Sequence, residues 1–228
     1  MPDALIVAHG SPADPDPQED RLHALAANVG ALLPDWRVQG ATLAAEGALE
    51  AALDALERPL IYPFFMAEGW FTGTNLPRRL KSAGYEGLTQ LRPFGTDPAL
   101  IDLMAAAATR AMGDETTLLI AAHGSKISRT SGDTTYAMAD ALAARTAFTT
   151  IKCGFVEEAP FLADVATDMG RGVCLPFFAL RAGHVLGDIP DALEQAAFTG
   201  AHLPPIGEDA GVPALIAAAL QRQNLSER

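Results

Sequence analysis

The sequence is short of cysteine, short of basic residues and without any long apolar run. Two cysteines, Cys153 and Cys174, are all that 228 residues contain, too few for the disulfide framework of a small secreted domain. Both fall in segments that read as buried strands, where a free thiol behaves as a small hydrophobe. No stretch approaches the roughly 18 apolar residues of a membrane span, and the N-terminus has neither the basic start nor the apolar core of a signal peptide. A cytoplasmic protein that does not enter membranes is expected. Lysine and arginine number 16 against 28 aspartates and glutamates, for a formal net charge of −12. So acidic a chain is a poor partner for nucleic acid or anionic lipid. There is no Gly-rich dinucleotide fingerprint, no P-loop lysine and no G-x-S-x-G elbow, so a phosphate-holding turn at Ser11 or Ser125 and a serine hydrolase are both weakly supported.

What the chain does contain is a repetition. Leu5-Ile6-Val7-Ala8-His9-Gly10-Ser11 returns as Leu119-Ile120-Ala121-Ala122-His123-Gly124-Ser125. Pro63-Phe64-Phe65, with Pro77 fourteen residues on, returns as Pro176-Phe177-Phe178 with Pro190 fourteen residues on. Gly40 meets Gly154, and Pro93-Phe94-Gly95-Thr96-Asp97 meets Pro205-Ile206-Gly207-Glu208-Asp209. Four anchors in one order, all offset by about 113 residues, mean an internal duplication. The period is far beyond that of a solenoid, so each copy is a domain or half-domain. The expected halves are residues 1–113 and 114–228, joined by a short polar hinge at Met112-Gly113-Asp114-Glu115-Thr116.

Short apolar runs alternate with stretches of helical period, the pattern of βα units around a parallel sheet covered on both faces. In the first half, strands are expected at 4–8, 37–43, 60–65 and 88–93, with helices at 19–33, 47–56, 75–82 and 98–112. In the second, strands are expected at 117–122, 148–156, 172–178 and 201–204, with helices at 133–145, 160–169, 189–197 and 212–223. Right-handed crossovers then make each half an α/β domain with a four-stranded parallel sheet and helices on both faces.

Ligands of such sheets bind at the carboxyl ends of the strands. His9 and His123 each follow the first strand of their half, with a glycine behind them that permits a sharp exit. His184 is expected in the loop after the third strand of the second half, ahead of Asp188 as an N-cap and Pro190 as a first-turn residue. Glu157 continues the second strand directly, while Glu158 is placed to cap the helix that Pro160 starts. In the first half the positions matching His184 and Glu157 hold Phe71 and Ala44, so the His, Glu, His set is complete only in the second. Two imidazoles and a carboxylate suit a first-row divalent metal and also suit proton removal near neutral pH. His23, on a helix face, and His202, beside the last strand, read as structural.

These residues resemble a known family. The strand-end His-Gly-Ser, the strand entering Pro-Phe-Phe, and above all Gly183-His184-Val185-Leu186-Gly187-Asp188-Ile189-Pro190 look like the type II tetrapyrrole chelatases of the CbiX and SirB kind. The resemblance covers nearly the whole chain. It implies two tandem chelatase-like domains, insertion of cobalt or iron into a sirohydrochlorin-type tetrapyrrole, and no organic cofactor. It makes His123 and His184 metal-binding and catalytic, with Glu157 a third catalytic member. Many single-chain relatives keep the histidine pair in the first half, so a pair in the second is closer to the CbiK-type cobaltochelatases. His9, Ser125, Lys126, Arg129, Arg181 and Phe71 are the expected substrate contacts. Phe71 and Trp70 offer aromatic surface to a flat macrocycle, and Lys126, Arg129, Arg181, Arg78 and Arg79 offer cations to its carboxylates. Imidazole and carboxylate accept cobalt, iron and nickel alike, so the metal stays open. So does the choice between monomer and homodimer, and between an enzyme and a non-catalytic metal or tetrapyrrole carrier.

Overall fold

The computed structural model describes residues 1–114 and 116–226, so Glu115 of the expected hinge lies outside the described residues. Among them, no helix is long and apolar enough to cross a membrane. The chain forms two compact units. One comprises Met1–Thr96 together with the segment from Ala210 on, and the other comprises Asp97–Asp209.

The first unit is built on β1 (Asp3–Ala8), buried along its whole length. It is flanked in parallel by β2 (Arg37–Thr42) and β3 (Leu60–Pro63), with Ile6 opposite Gly40 and Val7 opposite Pro63. The helices α1 (Asp16–Leu32) and α2 (Ala48–Asp54) connect them, and α3 (Leu76–Ser82) follows β3. Leu5, Val7, Leu49, Leu53, Ile61 and Leu76 form one apolar cluster between sheet and helices. The sheet has three strands where four are expected. The segment 88–93 makes a single bridge, Ile61 to Gln90. Pro59, just before β3, has no amide hydrogen to extend the ladder, whereas Gly172 holds the matching place in the second unit.

The second unit begins with α4 (Pro98–Ala111), whose N-cap Asp97 accepts from Ala99 N at 3.0 Å, with Pro98 in its first turn. The central strand β4 (Thr117–Ala122) lies between β5 (Thr150–Phe155) and β6 (Arg171–Pro176), and β7 (Thr199–His202) pairs with β6, all parallel. Gly200 lies opposite Gly172, and a Cβ on Gly200 would lie 2.1 Å from Gly172 O, so glycine there lets this fourth strand approach. The helices are α5 (Thr130–Ala143), α6 (Leu162–Met169) and α7 (Ile189–Gln195). Cys153 and Cys174 are free and buried, and burial pushes both thiols up to about 12.

Packing unit and sequence repeat do not coincide. The last helix of the first repeat, α4, packs on α5 in the second unit, and α8 (Val212–Ser226) packs on α1 in the first. The chain crosses just after two matched turns. Gly95 N donates to Phe65 O at 2.9 Å, and Gly207 N donates to Phe178 O at 3.0 Å. At either glycine a Cβ would lie 1.9 Å from a backbone carbonyl oxygen, that of Met66 or of Ala179.

Candidate functional site

His123 stands immediately past the carboxyl end of β4. Gly124 turns the chain there with φ +74°, and a Cβ on it would lie 2.8 Å from Glu158 Cγ, so glycine is required on two counts. Glu158 does not cap α6, which expectation had it do. Its Oε1 accepts from Ser125 N at 3.1 Å and so clamps the loop after His123. Ser125 Oγ accepts from Ile127 N and Ser128 N at 3.2 and 3.1 Å, which occupies the hydroxyl in shaping that loop. Glu157 N donates to His123 O at 2.9 Å, tying the two strand ends together.

His184 is not in a loop. It opens a π-helical turn, His184–Asp188, in which Ile189 N donates to His184 O five residues back, and the turn runs straight into α7. Asp188 consequently has helical φ and ψ and caps nothing with its side chain. Its Oδ2 lies 2.7 Å from His184 Nδ1. Asp188 is the residue that sequence reasoning misplaced; the signal was the His-x-x-x-Asp spacing, which sets both side chains on one helix face.

The rings of His123 and His184 meet edge to face, centroids 4.5 Å apart and planes at 87°. His123 Nδ1 lies 2.9 Å from Gly124 O. In the neutral imidazole a nitrogen facing a carbonyl or a carboxylate carries the hydrogen. Both histidines therefore have Nδ1 spoken for, and each presents Nε2 as a lone-pair donor. The Glu157 carboxylate takes Lys126 Nζ at 2.9 Å. The hydrogen bond and charge of Lys126 hold it below the usual glutamate range, and both imidazoles act in the same direction. Among the described residues no three His, Cys, Asp or Glu side chains converge as a ready metal cage. What the unit presents is two imidazole nitrogens with a nearby ionised carboxylate, which suits transient handling of a cation better than its retention.

The first unit builds the same frame with other chemistry. His9 Nδ1 lies 2.7 Å from Gly10 O, and Gly10 has φ +79°. Its ring meets Phe71 at 4.3 Å and 85°, and Phe71 opens the matching π-helical turn, Phe71–Asn75. Phe65 stacks on Phe71 at 6.1 Å and Trp70 meets its edge at 5.0 Å. Of the expected cations, Arg181 is bonded through Nε and Nη2 to Glu208, and Arg79 donates to Leu43 O and faces Glu50. Lys126 and Arg129 are well exposed, Arg129 with Asp133 at 4.0 Å, and Arg78 is exposed as well.

A family model described as CbiX matches residues 3–111 and, again, residues 117–223. The chain belongs to the CbiX family. One solved member of that family, described as CbiX, the terminal enzyme for biosynthesis of siroheme in denitrifying bacteria, is 47% identical, with a TM-score of 0.88 over 97% of this chain and 99% of its own. SirB from Bacillus subtilis with Fe3+ is 14% identical, with a TM-score of 0.80 over 100% of this chain and 98% of its own, a likeness of fold. DR2241 from Deinococcus radiodurans, a multi-domain protein described as structurally similar to chelatases, is 23% identical, with a TM-score of 0.72 over 96% of this chain and 54% of its own. No curated protein matches the chain. The CbiX model matching twice accords with the duplication, and the α/β architecture is that of the chelatases in both units.

Proposed function

We propose that the protein is a metal chelatase that inserts a divalent first-row metal into a sirohydrochlorin-type tetrapyrrole, as a step toward siroheme or cobalamin. The observation that carries this reading is the edge-to-face pair of His123 and His184, each with Nδ1 occupied and Nε2 available. It is supported by the 47% identity to the solved CbiX described as terminal in siroheme biosynthesis.

Insertion exchanges two pyrrole N–H protons for the metal ion and releases the water that the ion carried. Imidazole nitrogen replaces departing water on cobalt, iron or nickel, and histidine also accepts protons near neutral pH. His123 and His184 are the catalytic pair and the metal's ligands in this reading. Glu157 is the third member. Because Lys126 holds it ionised, its carboxylate serves better to attract the cation than to take a pyrrole proton. Arg129 is the cation best placed to meet substrate carboxylates, Lys126 contributes only if it leaves Glu157, and Ser125 shapes the loop that carries them. Arg181 contributes only if it leaves Glu208. In the first unit, His9 and Phe71 form an edge-to-face ring pair, a surface of the kind a flat macrocycle packs on.

The test is to supply purified protein with sirohydrochlorin and Co2+ or Fe2+ and follow insertion by absorbance. Turnover above the spontaneous rate supports the reading. Stoichiometric binding of metal or macrocycle without turnover would overturn it in favour of a carrier.

A further inference from the structure

His123 and His184 differ in what stands behind them. Behind His123 is a neutral backbone carbonyl, that of Gly124, as behind His9 is that of Gly10. Behind His184 is the carboxylate of Asp188. We propose that Asp188 is a positioning residue for His184, holding its Nδ1–H so that the ring keeps one tautomer and one orientation and presents Nε2 to the incoming cation. The inference rests on the chelatase reading for the identity of that cation.

The duplicated chain supplies an internal control on whether Asp188 serves the fold instead. The first unit makes the same π-helical turn, with Leu76 N donating to Phe71 O as Ile189 N donates to His184 O. In that turn Phe71 replaces the histidine and Asn75 replaces the aspartate. Asn75 has φ −68° and ψ −52° against −58° and −36° for Asp188, both helical, and neither side chain caps the following helix. The turn therefore forms without a carboxylate. Carboxylate and imidazole occur together in one copy and are replaced together in the other.

Stability gives no better account of the pair. Both side chains are partly exposed, at 35% for His184 and 55% for Asp188, where an ion pair contributes little. Among the described residues, His184 is the one side-chain partner of Asp188 that accounts for its carboxylate. A carboxylate behind a ligating imidazole fixes its tautomer and raises its donor strength, an effect worth 10- to 100-fold in metal affinity. It also spares the ring the loss of orientational freedom when the ion arrives.

The experiment uses the full chain, with Co2+ alone titrated by calorimetry and, separately, insertion into sirohydrochlorin. Asp188→Ala is expected to weaken Co2+ binding about 10-fold and to lower kcat, with the KM for the tetrapyrrole and the melting temperature unchanged. Asp188→Asn is the variant whose fold the first unit already demonstrates. It keeps an acceptor oxygen without the charge, and its Co2+ affinity is expected between the two. A purely structural role would lower the melting temperature and leave the Co2+ affinity of the folded protein alone. Co2+ affinities of both variants within twofold of the parent's overturn the proposal, whatever happens to turnover. A parent that binds Co2+ but does not insert it, with Asp188→Ala still weakening that binding, overturns the chelatase reading and leaves the positioning role standing.

Discussion

The imidazole of His123 meets that of His184 at 4.5 Å and 87°, and in the other copy of the repeat His9 meets Phe71 at 4.3 Å and 85°. One backbone frame thus carries a histidine pair in one unit and a histidine–phenylalanine pair in the other. The frame sets the ring geometry, and the side chain at the start of the π-helical turn sets the chemistry.

Replacing His184 with Phe should therefore leave packing intact, because the first unit already accommodates that ring in that place. The expected change in unfolding free energy is within about 0.5 kcal/mol. Insertion of Co2+ into sirohydrochlorin should fall at least about 100-fold, as loss of a positioned acid–base or ligand group does. Absorbance kinetics beside a urea unfolding curve would check both, and a His184→Phe enzyme as fast as the parent would remove His184 from the site.

The converse change is a gain. Phe71→His with Asn75→Asp would place a carboxylate-backed imidazole opposite His9 in a turn that already has the required backbone. Calorimetric titration with Co2+ should show one more equivalent bound per chain than in the parent. An unchanged stoichiometry in a folded double variant would mean that ring spacing alone does not make the site.

Lys126 and Glu157 set a pH dependence whose sign follows from the direction of the shift. The lysine lowers the glutamate's folded-state value, so the pair stabilises the fold above the unfolded carboxyl range and loses that contribution as pH falls through the lowered value. In Lys126→Met the Glu157 carboxyl should titrate at higher pH, read by carboxyl NMR. The stability difference between parent and variant should be present at neutral pH and vanish in acid. A midpoint that does not move would mean that Lys126 is not what holds the carboxylate ionised.

Gly207 and Gly187 should respond oppositely to alanine. A Cβ at Gly207 would lie 1.9 Å from the backbone oxygen of Ala179, which cannot yield without moving the chain. Gly207→Ala is expected to destabilise by more than about 3 kcal/mol. At Gly187, inside the π-helical turn, a Cβ meets nothing within 4 Å, so Gly187→Ala should be neutral or stabilising by up to about 1 kcal/mol. Paired denaturant curves would decide, and equal effects at the two sites would contradict the packing described.

Much of this protein is legible along the chain. The buried strands read as unbroken apolar runs because both faces of a parallel sheet are covered, and β4 ends at the residue its pattern indicates, Ala122. The His-Gly-Ser pairs locate both strand ends, because glycine takes the positive φ at Gly10 and Gly124 without steric cost. Expectation failed where a residue's role depends on a partner distant in sequence or on an unusual turn. Pro59 stands where the second unit has Gly172 and offers a fourth strand no amide hydrogen, which apolarity at 88–93 does not reveal. Asp188 before Ile189-Pro190 has the local pattern of a cap, yet the chain is already helical four residues earlier, at His184.

The sequence by itself determined the duplication, the parallel βα order and the identity of His9 and His123 as strand-end groups, because periodicity and glycine requirements are local properties of the chain. Only the tertiary structure decided that Glu158 clamps the Ser125 amide while Glu157 joins Lys126, that Asp188 backs His184, and that α4 and α8 pack outside their own repeats. Those outcomes depend on which atoms come within hydrogen-bonding or packing distance once the strands are aligned, and local pattern does not specify that.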